Sequence, residues 1–129
     1  MTYDYKNVAE AVETLAEYSR TMHAYHHAMS ALYLDAGTVA PKGTTAGRNA
    51  TMSVLSGVTF ELSTDPRRGE LIAYLEEHAD ELDASTRRQV EVARKSYDQM
   101  RRIPQEEYVA YSVLLNDTSC EELTHWKRL

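Results

Sequence analysis

The sequence predicts an all-α protein of about five helices, and three observations carry that prediction. Apolar residues recur three and four apart along nearly the whole chain. No segment alternates with the period of two that a half-buried strand requires. Glycine, proline and acid–proline pairs cut the 129 residues into helix-length pieces.

The first piece, about Tyr5 to Leu34, reads as one long helix. Val8, Leu15, Met22 and Met29 recur every seven residues, with Ala11, Tyr18, Tyr25 and Leu32 as a partner row three residues later. This is the a/d pattern of a coiled-coil-like seam. Thirty residues of helix span ~45 Å, so the helix calls for a long antiparallel partner or for more protein than the chain supplies. Asp35 to Thr44, with Gly37, Pro41 and Gly43, reads as a loop. Thr45 can cap a second helix to about Leu62, with Leu55, Val58 and Leu62 as its apolar row. Gly47 and Gly57 weaken that helix by about 1 kcal/mol each against alanine.

Asp65-Pro66 marks a restart, an acid at the cap and proline where its missing N–H costs nothing. The third helix is short, carries Leu71, Ile72 and Leu75, and frays near Asp80. Asp83 can cap a fourth helix with Val90, Ala93, Tyr97 and Met100 on one face. Ile103-Pro104 ends it. The fifth opens with Gln105, Glu106 and Glu107, acids at the positive helix end. Val109, Val113, Cys120 and Leu123 form its stripe toward Trp126. The whole is expected to be a single helical domain over 1–129, in an antiparallel array. It stops at Leu129 in mid-pattern, which points to truncation.

Composition narrows the function classes. Hydrophobic residues make up 43% and charged residues 26%, ordinary for a soluble globular protein. A net charge of -6 gives no field for general nucleic-acid binding. One cysteine, Cys120, forms no internal disulfide and fits a reducing compartment. No apolar run reaches the ~18 residues that span a bilayer, and no signal peptide is evident. A cytoplasmic location is therefore expected.

The candidate chemistry is thin. His23 and His27 lie four apart on the first helix, a spacing that brings two imidazoles to one metal. The residue after His23 is Ala24, where a zinc peptidase places its glutamate base. Both fall on the solvent face, with His26 beside the seam, so surface histidines are the better reading and the pair is only a weak metal candidate. Arg87-Arg88, Arg94-Lys95 and Arg101-Arg102 repeat every seven residues. The stripe fits phosphate contact less well than a solvated face pairing with Glu76, Glu77 and Glu91. Cys120 and His125 could form a thiol pair, but Cys120 lies on the apolar stripe, where thiols are inert. Glu10, Glu13 and Glu17 sit on solvent faces, and Gly43, Gly47 and Gly57 match no phosphate loop. No catalytic residue and no cofactor site is assigned from these patterns.

The order of landmarks along the chain resembles a known family. Leu32-Tyr33-Leu34-Asp35 is similar to the Leu-x-Trp-Asp of the carboxypeptidase Taq family of zinc metallocarboxypeptidases, and Pro41-Lys42-Gly43 to its Met-Pro-Lys-Gly. Arg48, Leu55, Phe60-Glu61-Leu62, Thr64-Asp65-Pro66, the arginine-rich helix with Tyr97, Ile103-Pro104 and Trp126 follow in the same order. The sequence departs from the family at Leu34, Ala36-Gly37-Thr38 and Ala40. If those positions touch the family's cleft, this member diverges there.

The resemblance implies the N-terminal quarter of a larger helical enzyme that removes residues from peptide C-termini. The family's zinc-type metal, its H-E-x-x-H ligands with their catalytic glutamate and its further glutamate ligand would then lie beyond Leu129. Asp35, Pro41 and Lys42 match motif positions, with loop closure as their expected role. The implied partners are the remainder of a larger peptidase chain, or a homodimer partner, and a peptide substrate for the parent. The competing readings are a stand-alone helical interaction or dimerisation module and a small metal-binding protein built on His23 and His27. No nucleic acid and no membrane enter any of them.

Overall fold

Asn7 starts the first helix. Its side-chain oxygen accepts the Glu10 N–H at 2.9 Å, and the Glu10 carboxylate accepts the Lys6 N–H at 2.7 Å, close to a capping box. The helix therefore begins at Val8 and not at Tyr5. In this computed structural model the backbone is described for residues 1–128 and the side chains for residues 1–118. The described residues form an all-α protein: α1 (Val8–Thr38), α2 (Thr45–Thr64), α3 (Pro66–Glu77), a 3-10 turn (Ala79–Glu81), α4 (Ala84–Arg101) and α5 (Gln105–Arg128). The expectations for Cys120, Leu123, His125 and Trp126 fall outside the described side chains.

α1 runs one turn past the expected stop at Leu34, through Ala36 and Gly37. The break comes where Pro41 forbids helix in the residue before it. The Asp35 carbonyl accepts N–H groups from Val39 and Ala40 at 3.2 and 3.0 Å and closes the last turn. Gly43, at φ +85°, makes the reversal that a side chain would strain. α2 follows, with the Thr44 carbonyl accepting its first helical N–H from Arg48. Thr44 rather than Thr45 thus stands at the cap. Its hydroxyl donates to the Pro41 carbonyl at 2.8 Å and so ties the turn together.

The chain forms two compact units, Met1–Met22 with Glu61–Ile103, and His23–Phe60 with Pro104–Leu129. In the first, Ala11 and Leu15 of α1, Leu71, Ile72 and Leu75 of α3, Leu82, and Val90, Ala93 and Tyr97 of α4 make the core. The Asp65 carboxylate accepts the Arg67 N–H at 2.9 Å with Pro66 at the first helical position, and Asp83 accepts from Thr86 N–H at 2.7 Å. Both caps stand where the sequence placed them.

In the second unit the buried residues include Met52, Ser56, Thr59, Phe60 and Asn116. The Phe60 and Tyr108 rings pack at 5.3 Å. The expected α2 row, Leu55, Val58 and Leu62, is only half-buried. Ser56 and Thr59 take the inward positions instead. The Thr59 hydroxyl is satisfied by the Ser56 carbonyl at 3.0 Å, which lets a polar residue sit inside a helix contact. On α5 the stripe Val109–Val113 continues through Asn116, a polar residue where periodicity expects an apolar one.

Candidate functional site

The weak metal candidates come first. His23 and His27 are both exposed on α1. Among the described residues no group of three or more His, Cys, Asp or Glu side chains stands together to hold a metal. A zinc site needs three or four such donors, so the described residues do not fit the metal that the resemblance implies.

The most constrained cluster is one the sequence reading passed over. Arg68, in the first turn of α3, is 3% exposed and has no ion-pair partner among the described residues. One guanidinium nitrogen donates to the Ser63 carbonyl at 2.9 Å. The group lies over the Tyr18 ring at 4.3 Å and the Tyr97 ring at 5.7 Å. A buried cation is thus held by the electron-rich faces of aromatic rings and by a carbonyl near the negative C-terminal end of α2. Burial pushes its pKa down, while the three tyrosines Tyr18, Tyr3 and Tyr97 push it up.

The Tyr3 hydroxyl, buried and without a hydrogen-bond partner, has its pKa pushed up to about 12, by burial first and then by the Asp65 carboxylate. Burial also raises Tyr18. The Arg67 hydrogen bond holds the Asp65 carboxyl below the usual range. The excess of tyrosine, nine residues against one phenylalanine, gains a physical reason here. Tyr3, Tyr18 and Tyr97 all serve as arginine platforms, with Arg67 over Tyr3 at 5.2 Å and Arg101 over Tyr97 at 5.3 Å. The clue was in the sequence. Arg68 stands seven residues before Leu75 and three before Leu71, on the apolar face of α3.

The basic stripe on α4 behaves as a solvated, paired face. Arg94 makes two bonds to the Glu76 carboxylate, at 2.8 and 3.0 Å, and lies 3.6 Å from Asp98. Arg88 pairs with Glu91 at 3.0 Å. Arg87 donates to the Leu82 carbonyl at 3.1 Å. These contacts occupy Arg87, Arg88 and Arg94, three of the six basic residues of the stripe.

The second unit holds a groove of about 710 Å³. Met29, Tyr33 and Leu34 of α1, Met52 of α2, and Leu115 and Asn116 of α5 line it, with His26, Ser30 and Ser112. Beneath it runs a short polar relay. Asp117 accepts from the Asn49 amide at 3.4 Å, and the Asn49 oxygen accepts from the Asn116 amide nitrogen at 2.9 Å. A carboxylate can only accept, so Asp117 fixes the orientation of both amides. The Asn116 side-chain oxygen is left without a partner.

The profile of the carboxypeptidase Taq (M32) metallopeptidases matches residues 14–128. The chain belongs to this family. Carboxypeptidase 1 of Bacillus subtilis (strain 168) is 35% identical over 100 residues, which cover 76% of this chain and 20% of that protein. The crystal structure described as BsuCP superposes with a TM-score of 0.80 at 30% identity, over 84% of this chain and 22% of the other. The chain thus spans about a fifth of the length of these M32 relatives. Within the M32 match, Asp35, Pro41 and Lys42 are exposed, and the first two act through backbone carbonyls at the α1–α2 turn. The described residues place Asp35 and Pro41 in loop closure.

Proposed function

We propose that this chain is the N-terminal helical segment of a metal-dependent carboxypeptidase, an enzyme that hydrolyses the C-terminal peptide bonds of its substrates. The M32 match over residues 14–128 carries this reading, together with the span of only a fifth of the relatives' length. The segment supplies helical wall, not chemistry. Arg67, Arg68, Arg88 and Arg94 are engaged in ring contacts and ion pairs, and His23 and His27 stand exposed without a third donor within the described residues. A zinc-type metal, its ligands and the general base belong to the remaining part of the enzyme, and the setting is cytoplasmic.

The experiment is the intact mass of the native protein in its source cells, detected with an antibody against this segment. The expected species is several times heavier than 14.7 kDa and releases C-terminal residues from peptides only when metal is present. A native species of 14.7 kDa would refute the reading. It would favour a helical interaction module instead, for which the exposed Leu34, Leu114 and Leu115 speak.

A further inference from the structure

The second unit carries apolar surface that it does not cover itself. Leu34 is 62% exposed, Tyr111 62%, Leu114 64% and Leu115 53%. They stand on the two helices, α1 and α5, whose Met29, Tyr33, Leu34 and Leu115 line the groove. The α1 rows repeat this asymmetry along one helix. Ala11, Leu15 and Tyr18 are buried, whereas Met22, Tyr25, Met29 and Leu32 continue the same spacing only half-buried. No Asp, Glu, Lys or Arg lines the groove, so an occupant meets an apolar trough with methionines, which adapt to many shapes. Asn116, in its lining, keeps an acceptor unpaired at the head of a relay that Asp117 locks in place.

We infer that the groove seats an apolar helix supplied by the part of the same peptidase chain that lies outside residues 1–129. The inference rests on the proposed function. It commits to this source because the M32 relatives are about five times as long as the span they share with this chain. An exposed apolar trough of this kind marks a contact surface rather than a solvent face.

Two measurements test it. In the first, a photo-crosslinking p-benzoylphenylalanine replaces Leu115 in the native full-length gene product, and the cross-linked peptides are read by mass spectrometry. The expected product is an intrachain link to a peptide outside residues 1–129. A link to a second copy, to another protein, or only within residues 1–129 overturns the inference. In the second, Leu115→Glu is made in both the 129-residue chain and the full-length product. The expected shift in Tm is close to zero in the short chain, where Leu115 is already half in water, and a fall of about 3 °C or more in the long one. Equal shifts in both overturn it. A native mass of 14.7 kDa sinks the proposed function itself. A heavy species whose Leu115 cross-links elsewhere sinks only the groove assignment.

Discussion

Glycine-to-alanine substitution inside a helix ordinarily stabilises, by about 1 kcal/mol, and three of this chain's four helical glycines, Gly47, Gly57 and Gly69, stand in different surroundings. At Gly47 an added Cβ meets nothing within 4 Å, and at Gly57 it meets only the Gln105 amide at 3.9 Å. At Gly69 it falls 2.5–2.7 Å from the hydroxyl, Cζ and Cε1 of Tyr97. That ring has no room to retreat, since it is 3% exposed and carries Arg68 and Arg101 on its faces. Overpacking of this kind costs about 1–3 kcal/mol. Set against the propensity gain, Gly69→Ala is expected to destabilise by about 1 kcal/mol, and Gly47→Ala to stabilise by up to about that amount.

Thermal unfolding followed by circular dichroism reads the contrast as shifts of opposite sign, about 3–5 °C each way for a chain of this size. Tyr97→Leu, which shortens the side chain, removes most of the penalty of Gly69→Ala in a double-mutant cycle. If Gly69→Ala raises Tm as much as Gly47→Ala, the Tyr97 contact is not what selects glycine at that position.

Two further outcomes follow from the arginine cage. Arg68→Ala opens a cavity and strips the Ser63 carbonyl of its donor, so urea unfolding should show a loss of about 2–4 kcal/mol. Arg68→Met, which keeps volume and removes the desolvated charge, should cost less than half as much. Equal losses would mean that the charge itself is what stabilises. The Tyr3 hydroxyl, pushed up to about 12, stays protonated in the folded state after an unfolded tyrosine has ionised near 10. The unfolded state therefore binds fewer protons between those values, and stability falls as pH rises from about 10 to 12, by less than about 1.4 kcal/mol per pH unit since the side chain is only partly buried. Tyr3→Phe should flatten that decline, and an unchanged slope would refute the assignment.

The helix starts and stops that rest on backbone chemistry were legible. Asp65-Pro66 and Asp83 stand as caps because an acid side chain and a proline φ act locally, whatever packs nearby. The family was legible too, from the order of short landmarks. What periodicity misjudged were polar residues buried for reasons outside their own helix. Thr59 sits inside because its hydroxyl donates to the Ser56 carbonyl one turn back, whereas the small Ser56 hydroxyl is buried without a partner among the described residues. Asn116 sits inside because the Asn49 oxygen, whose amide Asp117 orients, accepts from it, and Asn49 is 67 residues distant. Arg68 sits inside because Tyr18 and Tyr97, on two other helices, offer it their faces. α1 overran its expected end because Gly37 alone does not stop a helix, whereas Pro41 does.

Gly69 under Tyr97 has one more effect. α3 contains a single residue without a side chain, and the bulkiest buried ring of α4 lies on it. Sliding α3 by one turn, about 5.4 Å, would bring Asp65 or Ala73 beneath the phenol, and neither leaves space for it. The two helices therefore share one permitted alignment, set like a key in a single notch. Within that unit, motion is confined to breathing about this alignment or to complete parting of α3 from α4, with no ratchet of intermediate positions between them.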